Sequence, residues 1–147
     1  LAAKRRGEDW RVFVVLGDGE LDEGEIWEAA GVCNKYGLDN IVVFVDCNNL
    51  QLDGTCDEVM PLGDIAAKFS AFGFETWNID GNDMQQIVST LDEIRGRKNG
   101  RPKCIVGRTV KGKGVSFMEN VCSWHGTAPN AEQYGQAMRE LSGGDNK

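Results

Sequence analysis

The chain has 147 residues, 41% hydrophobic and 27% charged, with 19 glycines against 3 prolines. That is enough for one domain with a real core and many tight turns, without a proline-rich linker. A formal charge of −7 argues against the basic stripe that a nucleic-acid binder needs, and no apolar stretch reaches the length of a membrane span. Cys33, Cys47, Cys56, Cys104 and Cys122 are an odd set with no C-x-x-C pair, which points to reduced thiols and a cytoplasmic home.

Leu1 to Gly7 reads as the last turn of a helix: apolar residues, then Lys4-Arg5-Arg6, then a glycine stop. The expectation is an element whose first part is absent, with a frayed tail as the alternative. Val12 to Leu16 and Ile41 to Val45 are unbroken, β-branched runs, as expected of parallel strands covered on both faces. Phe74 to Ile79 and Cys104 to Val106 are two further apolar runs.

Helical stripes lie between them. Ile26, Ala29, Ala30 and Cys33 share one face, as do Ile65, Ala66, Phe69 and Phe72. Met84, Ile87, Val88, Leu91 and Ile94 form a third stripe, capped by Asn82 or Asp83. A last helix is predicted from Asn130, with Gln133 closing a capping box and Tyr134, Ala137, Met138 and Leu141 turned inward. Strand starts recur about every thirty residues, the rhythm of βαβ units. The predicted fold is α/β, a mainly parallel sheet with helices on both faces.

Each strand is followed by a turn: Gly17-Asp18-Gly19, Cys47-Asn48-Asn49, Asp80-Gly81-Asn82 and Lys111-Gly112-Lys113-Gly114. All lie at carboxyl ends of strands, the edge where open α/β sheets bind ligands. A lone G-D-G is most often just a turn. Here Asn48-Asn49 follows after 28 residues, so neighbouring strands would bring Asp18 and Asn48 together. A carboxylate and an amide oxygen suit Mg2+, which takes few protein ligands and completes its shell with phosphate. The flanking glycines let backbone approach a phosphate, and a helix starting near Asp22 would point its positive end there. Lys111 could add an ammonium donor, whereas Lys113 reads as a solvated turn residue. His125 is the only histidine; such a residue is more often structural than catalytic.

The stretch GDGELDEGEIWEAAGVCNKYGLDNIVVFVDCNNLQLDG, from Gly17 to Gly54, resembles the thiamine diphosphate signature of transketolases. The resemblance continues through RTVKGKGVSFMEN and SWHGTAPNAEQY, and is greatest to the amino-terminal subunits of split bacterial transketolases. It implies a thiamine diphosphate-binding fold, with residues 1–147 as the carboxy-terminal part of the diphosphate-binding domain. By position, Asp18 and Asn48 resemble the family's metal ligands, with the Leu50 carbonyl as the third. The metal would be Mg2+, with Ca2+ or Mn2+ as substitutes. The resemblance also sets Gly17, Gly19, Glu20, Leu52, Lys111 and His125 against the cofactor, Leu52 on the thiazolium ring. His125 would touch the diphosphate and substrate oxygens. Glu23 matches a carboxylate that links two active sites and counts with His125 among the implied catalytic residues, with a first-turn acid favoured by the helix dipole as the alternative.

The implied activity is two-carbon ketol transfer between sugar phosphates, as in the pentose phosphate pathway. The glutamate that activates the cofactor would sit on a pyrimidine-binding domain in a separate carboxy-terminal subunit. The chain would then be silent alone, and paired with a second copy as a homodimer. The alternatives are a 1-deoxyxylulose-5-phosphate synthase-like or 2-oxoacid dehydrogenase-type fragment, or a non-catalytic interaction module of the same fold.

Overall fold

The computed structural model describes residues 1–143. Helix α1 (Ala2–Arg6) stops at Gly7, whose φ of 70° turns its N–H back onto the helix carbonyls. Strand β1 (Val12–Gly17) passes through a 3-10 turn (Gly19–Asp22) into α2 (Gly24–Lys35), and the chain returns as β2 (Ile41–Cys47). A short hairpin of β3 (Leu50–Gln51) and β4 (Gly54–Thr55) leads into α3 (Cys56–Val59). Then follow α4 (Ile65–Ala71), β5 (Glu75–Asp80), α5 (Met84–Arg95) and β6 (Lys103–Arg108). A long loop with a second 3-10 turn (Cys122–His125) ends in α6 (Ala131–Leu141).

The main sheet has the order β1-β2-β6-β5, and every pairing in it is parallel. Alternation along the strands divides the core in two. Leu16, Val43, Val45, Cys104 and Val106 pack with Ala30, Cys33, Ile65, Ala66 and Phe69 of α2 and α4. On the other face Val42, Phe44, Ile105, Trp77 and Ile79 pack with Leu91 and Ile94 of α5. The predicted α/β sheet with helices on both faces is the observed one.

Three details differ from expectation. β1 is an edge strand, and Phe13 and Val15 are 61% and 72% exposed, because α5 covers only the β5 side of their face. Met84 and Val88 are exposed, lying at the margin of the α5 stripe. In α6 only Ala137 is buried, while Tyr134, Met138 and Leu141 are exposed. That helix is tied to the preceding loop by polar bonds: Ser116 donates its N–H and hydroxyl to Glu140, at 2.5 and 2.8 Å.

The amino edge of the sheet is locked by a fully buried lysine. Lys103 Nζ donates to the Arg101 carbonyl at 2.6 Å and Asn99 Oδ1 at 3.1 Å, with the Glu75 carboxylate at 3.8 Å. Burial lowers the lysine's pKa, and the charges of Glu75 and Asp39 oppose that shift. Burial pushes the Glu75 carboxyl up, but the Asn99 hydrogen bond and the Lys103 and Arg97 charges outweigh it and hold the group below its ordinary value. Asp39 is likewise held low against burial, by the Gly100 N–H and by Lys4 and Lys103.

These depressed carboxylates stabilise the fold above the ordinary carboxylate range, and that stability is lost as pH falls through their folded values. Lys103→Met takes a cation from beside two carboxylates that keep Arg97 and Lys4 and leaves the acceptors of its ammonium group without a donor, so urea unfolding at pH 7 should show a loss of about 1–3 kcal/mol. The variant should also lose less stability than the parent on going from pH 7 to pH 4. An unchanged urea midpoint would remove Lys103 from this role.

Candidate functional site

At the opposite edge, β1 and β2 are in register with Gly17 beside Asp46. The next residue is Asp18, only 2% exposed. Its carboxylate accepts the Gly19 N–H at 2.9 Å and the Asn49 N–H at 2.5 Å. None of the salt bridges among the described residues involves Asp18. The site therefore holds a buried carboxylate satisfied by hydrogen bonds but not by charge.

Asn49 reaches Asp18 because its backbone is left-handed, φ 60°, a conformation asparagine tolerates better than most residues. Its amide is pinned to Asp57 at 3.0 Å. Asn48 folds its own Oδ1 onto the Leu50 N–H at 3.0 Å, an Asx turn that starts the hairpin. Nearby thiols register the acidity of the place. Burial, then the charge and hydrogen bonding of Asp18, push Cys56 up to about 11. Burial and then the Asp18 charge raise Cys47 as well.

The glycines act differently from expectation. The Gly17 N–H is taken by the Glu20 carboxylate at 3.1 Å, and that of Gly19 by Asp18. Gly19 is needed for closeness: a Cβ there would lie 2.9 Å from Cβ of Gln51. A 3-10 turn (Gly19–Asp22) follows this loop, and α2 begins directly after it at Gly24, close to the expected start near Asp22. At the hairpin tip Leu52 is 71% exposed.

Lys111 and His125 arrive from the long loop. Gly112 has φ 74°, and a Cβ would sit 2.7 Å from the Met118 backbone, so the turn after Lys111 depends on glycine. Trp124 Nε1 donates to the Phe117 carbonyl at 3.0 Å, and the two rings meet edge-on at 5.5 Å. This anchors the turn that ends at His125.

A cavity of about 470 Å3 is lined by Gly17, Asp18, Gly19, Glu20, Asn48, Leu50, Leu52, Lys111 and His125 together with Asp46, Gln51 and Asp53. Every residue the sequence assigned to a cofactor thus borders one space. Glu23 does not: it is exposed at the start of α2 and makes no side-chain capping bond. Lys113 lies outside too, 3.8 Å from Glu119, beside a larger hollow of about 560 Å3 near Arg108. Sequence reasoning missed Asn49, Gln51 and Asp46. Asp46, whose carboxylate accepts the Thr109 hydroxyl, was legible in principle as the acid ending β2.

Asp18, Asn48 and the Leu50 carbonyl border the cavity with hard oxygens, the donor type Mg2+ takes, and the Asp18 and Asn48 oxygens already accept backbone N–H groups. Among the described residues no group of three or more His, Cys, Asp or Glu could hold a metal. The protein oxygens fit a cation that brings further oxygens with it.

The fold matches that of transketolase from Campylobacter jejuni, with a TM-score of 0.84 at 29% identity, over 92% of this chain and 21% of that one. It also matches a Pichia stipitis transketolase complex with sedoheptulose 7-phosphate, TM-score 0.81 at 26% identity, over 90% and 19%. The architecture is thus that of a thiamine diphosphate-binding domain. The sequence profile of the family described as "Transketolase, thiamine diphosphate binding domain" matches residues 5–147, and the chain belongs to that family.

Among curated relatives, one of the subunits of an apulose-4-phosphate transketolase from Phocaeicola vulgatus is 43% identical over 97% of this chain and 50% of its own length. A 6-deoxy-6-sulfo-D-fructose transketolase subunit of a Clostridium species is 38% identical over 88% and 47%. The chain spans about half the length of these relatives.

Asp18→Asn offers an amide donor where one of two backbone N–H groups now finds an acceptor. Even without ligand it should lower unfolding stability by about 1–3 kcal/mol. Urea denaturation checks this, and a neutral result would mean that the Asp18 bonds do not hold the edge together.

Proposed function

We propose that this chain forms the metal- and diphosphate-binding side of a transketolase. It would hold Mg2+-thiamine diphosphate for transfer of a two-carbon ketol unit between sugar phosphates. The observation that carries the reading is the single cavity bordered by Asp18, Asn48, Leu50, Lys111 and His125. Asp18, Asn48 and the Leu50 carbonyl ligate the metal, for which Mn2+ or Ca2+ could substitute. Lys111 and His125 donate to phosphate and substrate oxygens. The exposed Leu52 gives an apolar surface for the thiazolium ring, and Gly17, Gly19 and Glu20 shape the floor. Glu23, which does not line the cavity, serves a contact between active sites.

The bound cofactor supplies the nucleophilic carbon and the electron sink for the two-carbon unit. The protein's work here is to hold the diphosphate end and to exclude water. Activation of the other end falls to a carboxy-terminal partner with a pyrimidine-binding domain. The relatives whose names make them single subunits of a transketolase support such a divided enzyme. Their names mention apulose 4-phosphate and 6-deoxy-6-sulfo-D-fructose, so the pentose phosphate pathway is one of several settings for the reaction.

The exposed Phe13 and Val15 share one face of the edge strand β1, an apolar surface suited to burial, and support association as a two-fold dimer. Free thiols at all five cysteines suit a cytoplasmic setting. Among the described residues no helix is long and apolar enough to cross a membrane.

Thermal melting tests the binding. Mg2+ with thiamine diphosphate at about 100 times the dissociation constant should add about 2.7 kcal/mol. Either component alone should add far less, and Asp18→Ala should abolish the joint effect. Equal stabilisation by Mg2+ alone would contradict the shared shell. Ketol transfer should be absent from this chain by itself and appear with the partner; turnover by the isolated chain would refute the division of labour. Sedimentation at tens of micromolar, about the range where weak patches associate, should show a dimer; a clean monomer would refute the pairing.

A further inference from the structure

Cys122 opens the 3-10 turn that ends at His125, and its thiol lies over the backbone of the β3–β4 hairpin. Sγ lies closest to the Gln51 carbonyl oxygen, with those of Leu52 and Gly54 at 3.6 and 3.9 Å. One S–H proton serves these oxygens, and Gln51 is the nearest. The contact joins residues 71 positions apart, so it is made by the fold and not by a local turn.

The hairpin needs such support. Each of its strands has two residues, too few to be stable unaided, yet it carries the Leu50 carbonyl and Leu52. The His125 turn is held on its other side by Trp124 against Phe117. Just past His125 the chain runs near the hairpin: a Cβ added at Gly126 would lie 3.9 Å from Leu52 Cδ2.

We propose that Cys122 is a positioning residue: its thiol clamps the His125 turn to the hairpin and fixes the spacing between His125 and the Leu50–Leu52 side of the cavity. What the cavity holds rests on the function proposed above, whereas the clamp itself rests on the geometry. Cys122 touches neither metal nor cofactor in this reading, and acts through the two elements it joins.

The test compares Cys122→Ala, which removes the donor, with Cys122→Ser, which keeps a hydroxyl donor, in the full chain. His125 is the only histidine, so its imidazole proton resonance is a unique reporter of the turn without any ligand. Calorimetry gives the Mg2+-thiamine diphosphate dissociation constant. The alanine variant should shift or broaden the His125 resonance and weaken binding about three- to tenfold, the scale of one net hydrogen bond. Serine should restore both readouts to within about twofold of the parent.

Where the parent binds, an unchanged dissociation constant in the alanine variant overturns the proposal, as does a serine variant no better than alanine. If the parent takes up no Mg2+-thiamine diphosphate, the proposed function fails. The His125 resonance of the two variants then decides the clamp alone, with an unmoved signal in the alanine variant overturning it.

Discussion

The carboxyl edge of the sheet is organised around one side chain whose charge the protein leaves unbalanced. Asp18 accepts two backbone N–H groups, one from its own turn and one from Asn49 at the end of the neighbouring strand. Those bonds stitch the ends of β1 and β2 together and set the direction in which the hairpin leaves the sheet. They satisfy the carboxylate's oxygens without neutralising it. Burying an ionised group without a counter-charge is costly, and evolution usually removes the charge or pairs it. Retaining it at a ligand-binding edge makes sense when the missing charge arrives from outside.

The other edge shows the alternative solution. Lys103 is as deeply buried, but it has Glu75 and Asp39 beside it and three oxygens around its ammonium group. That charge is compensated within the chain, so the amino edge is a device for stability. The same sheet thus carries a charge-compensated network at one end and an uncompensated carboxylate at the other. Parallel strands make the separation possible, because every strand delivers its carboxyl turn to one side.

Much of this was legible from sequence because strand runs and turns obey local rules. Unbroken β-branched runs located the strands, and the residues just after them, Asp18 and Asn48, had to share an edge. Periodicity tells which side of an element turns inward, but not whether anything lies there to cover it. Phe13 and Val15 therefore read as buried and are exposed, and the apolar stripe of α6 buries only Ala137. The roles of Asn49 and Gln51 were hidden for another reason. One depends on a left-handed backbone, and the other on close packing against Gly19, far earlier in the chain. The hairpin's two-residue strands were likewise too short to leave a periodic signal.

The charge balance of the cavity constrains what can enter it. Asp18, Glu20, Asp46 and Asp53 face it against Lys111 and a single imidazole. A bare diphosphate would meet net repulsion there, since like charges at short range in a partly dry site are poorly screened. A bare divalent cation would meet attraction but too few protein ligands to fill an octahedral shell. Each species supplies what the other lacks: the cation cancels the carboxylates, and the phosphate oxygens complete the cation. Under the proposed function the acidic lining is therefore no obstacle to an anionic ligand, because it would make that ligand's binding conditional on metal. The exposed Leu52 at the mouth offers an apolar surface beyond the charged lining, which under the proposed function packs on the flat face of the cofactor's ring.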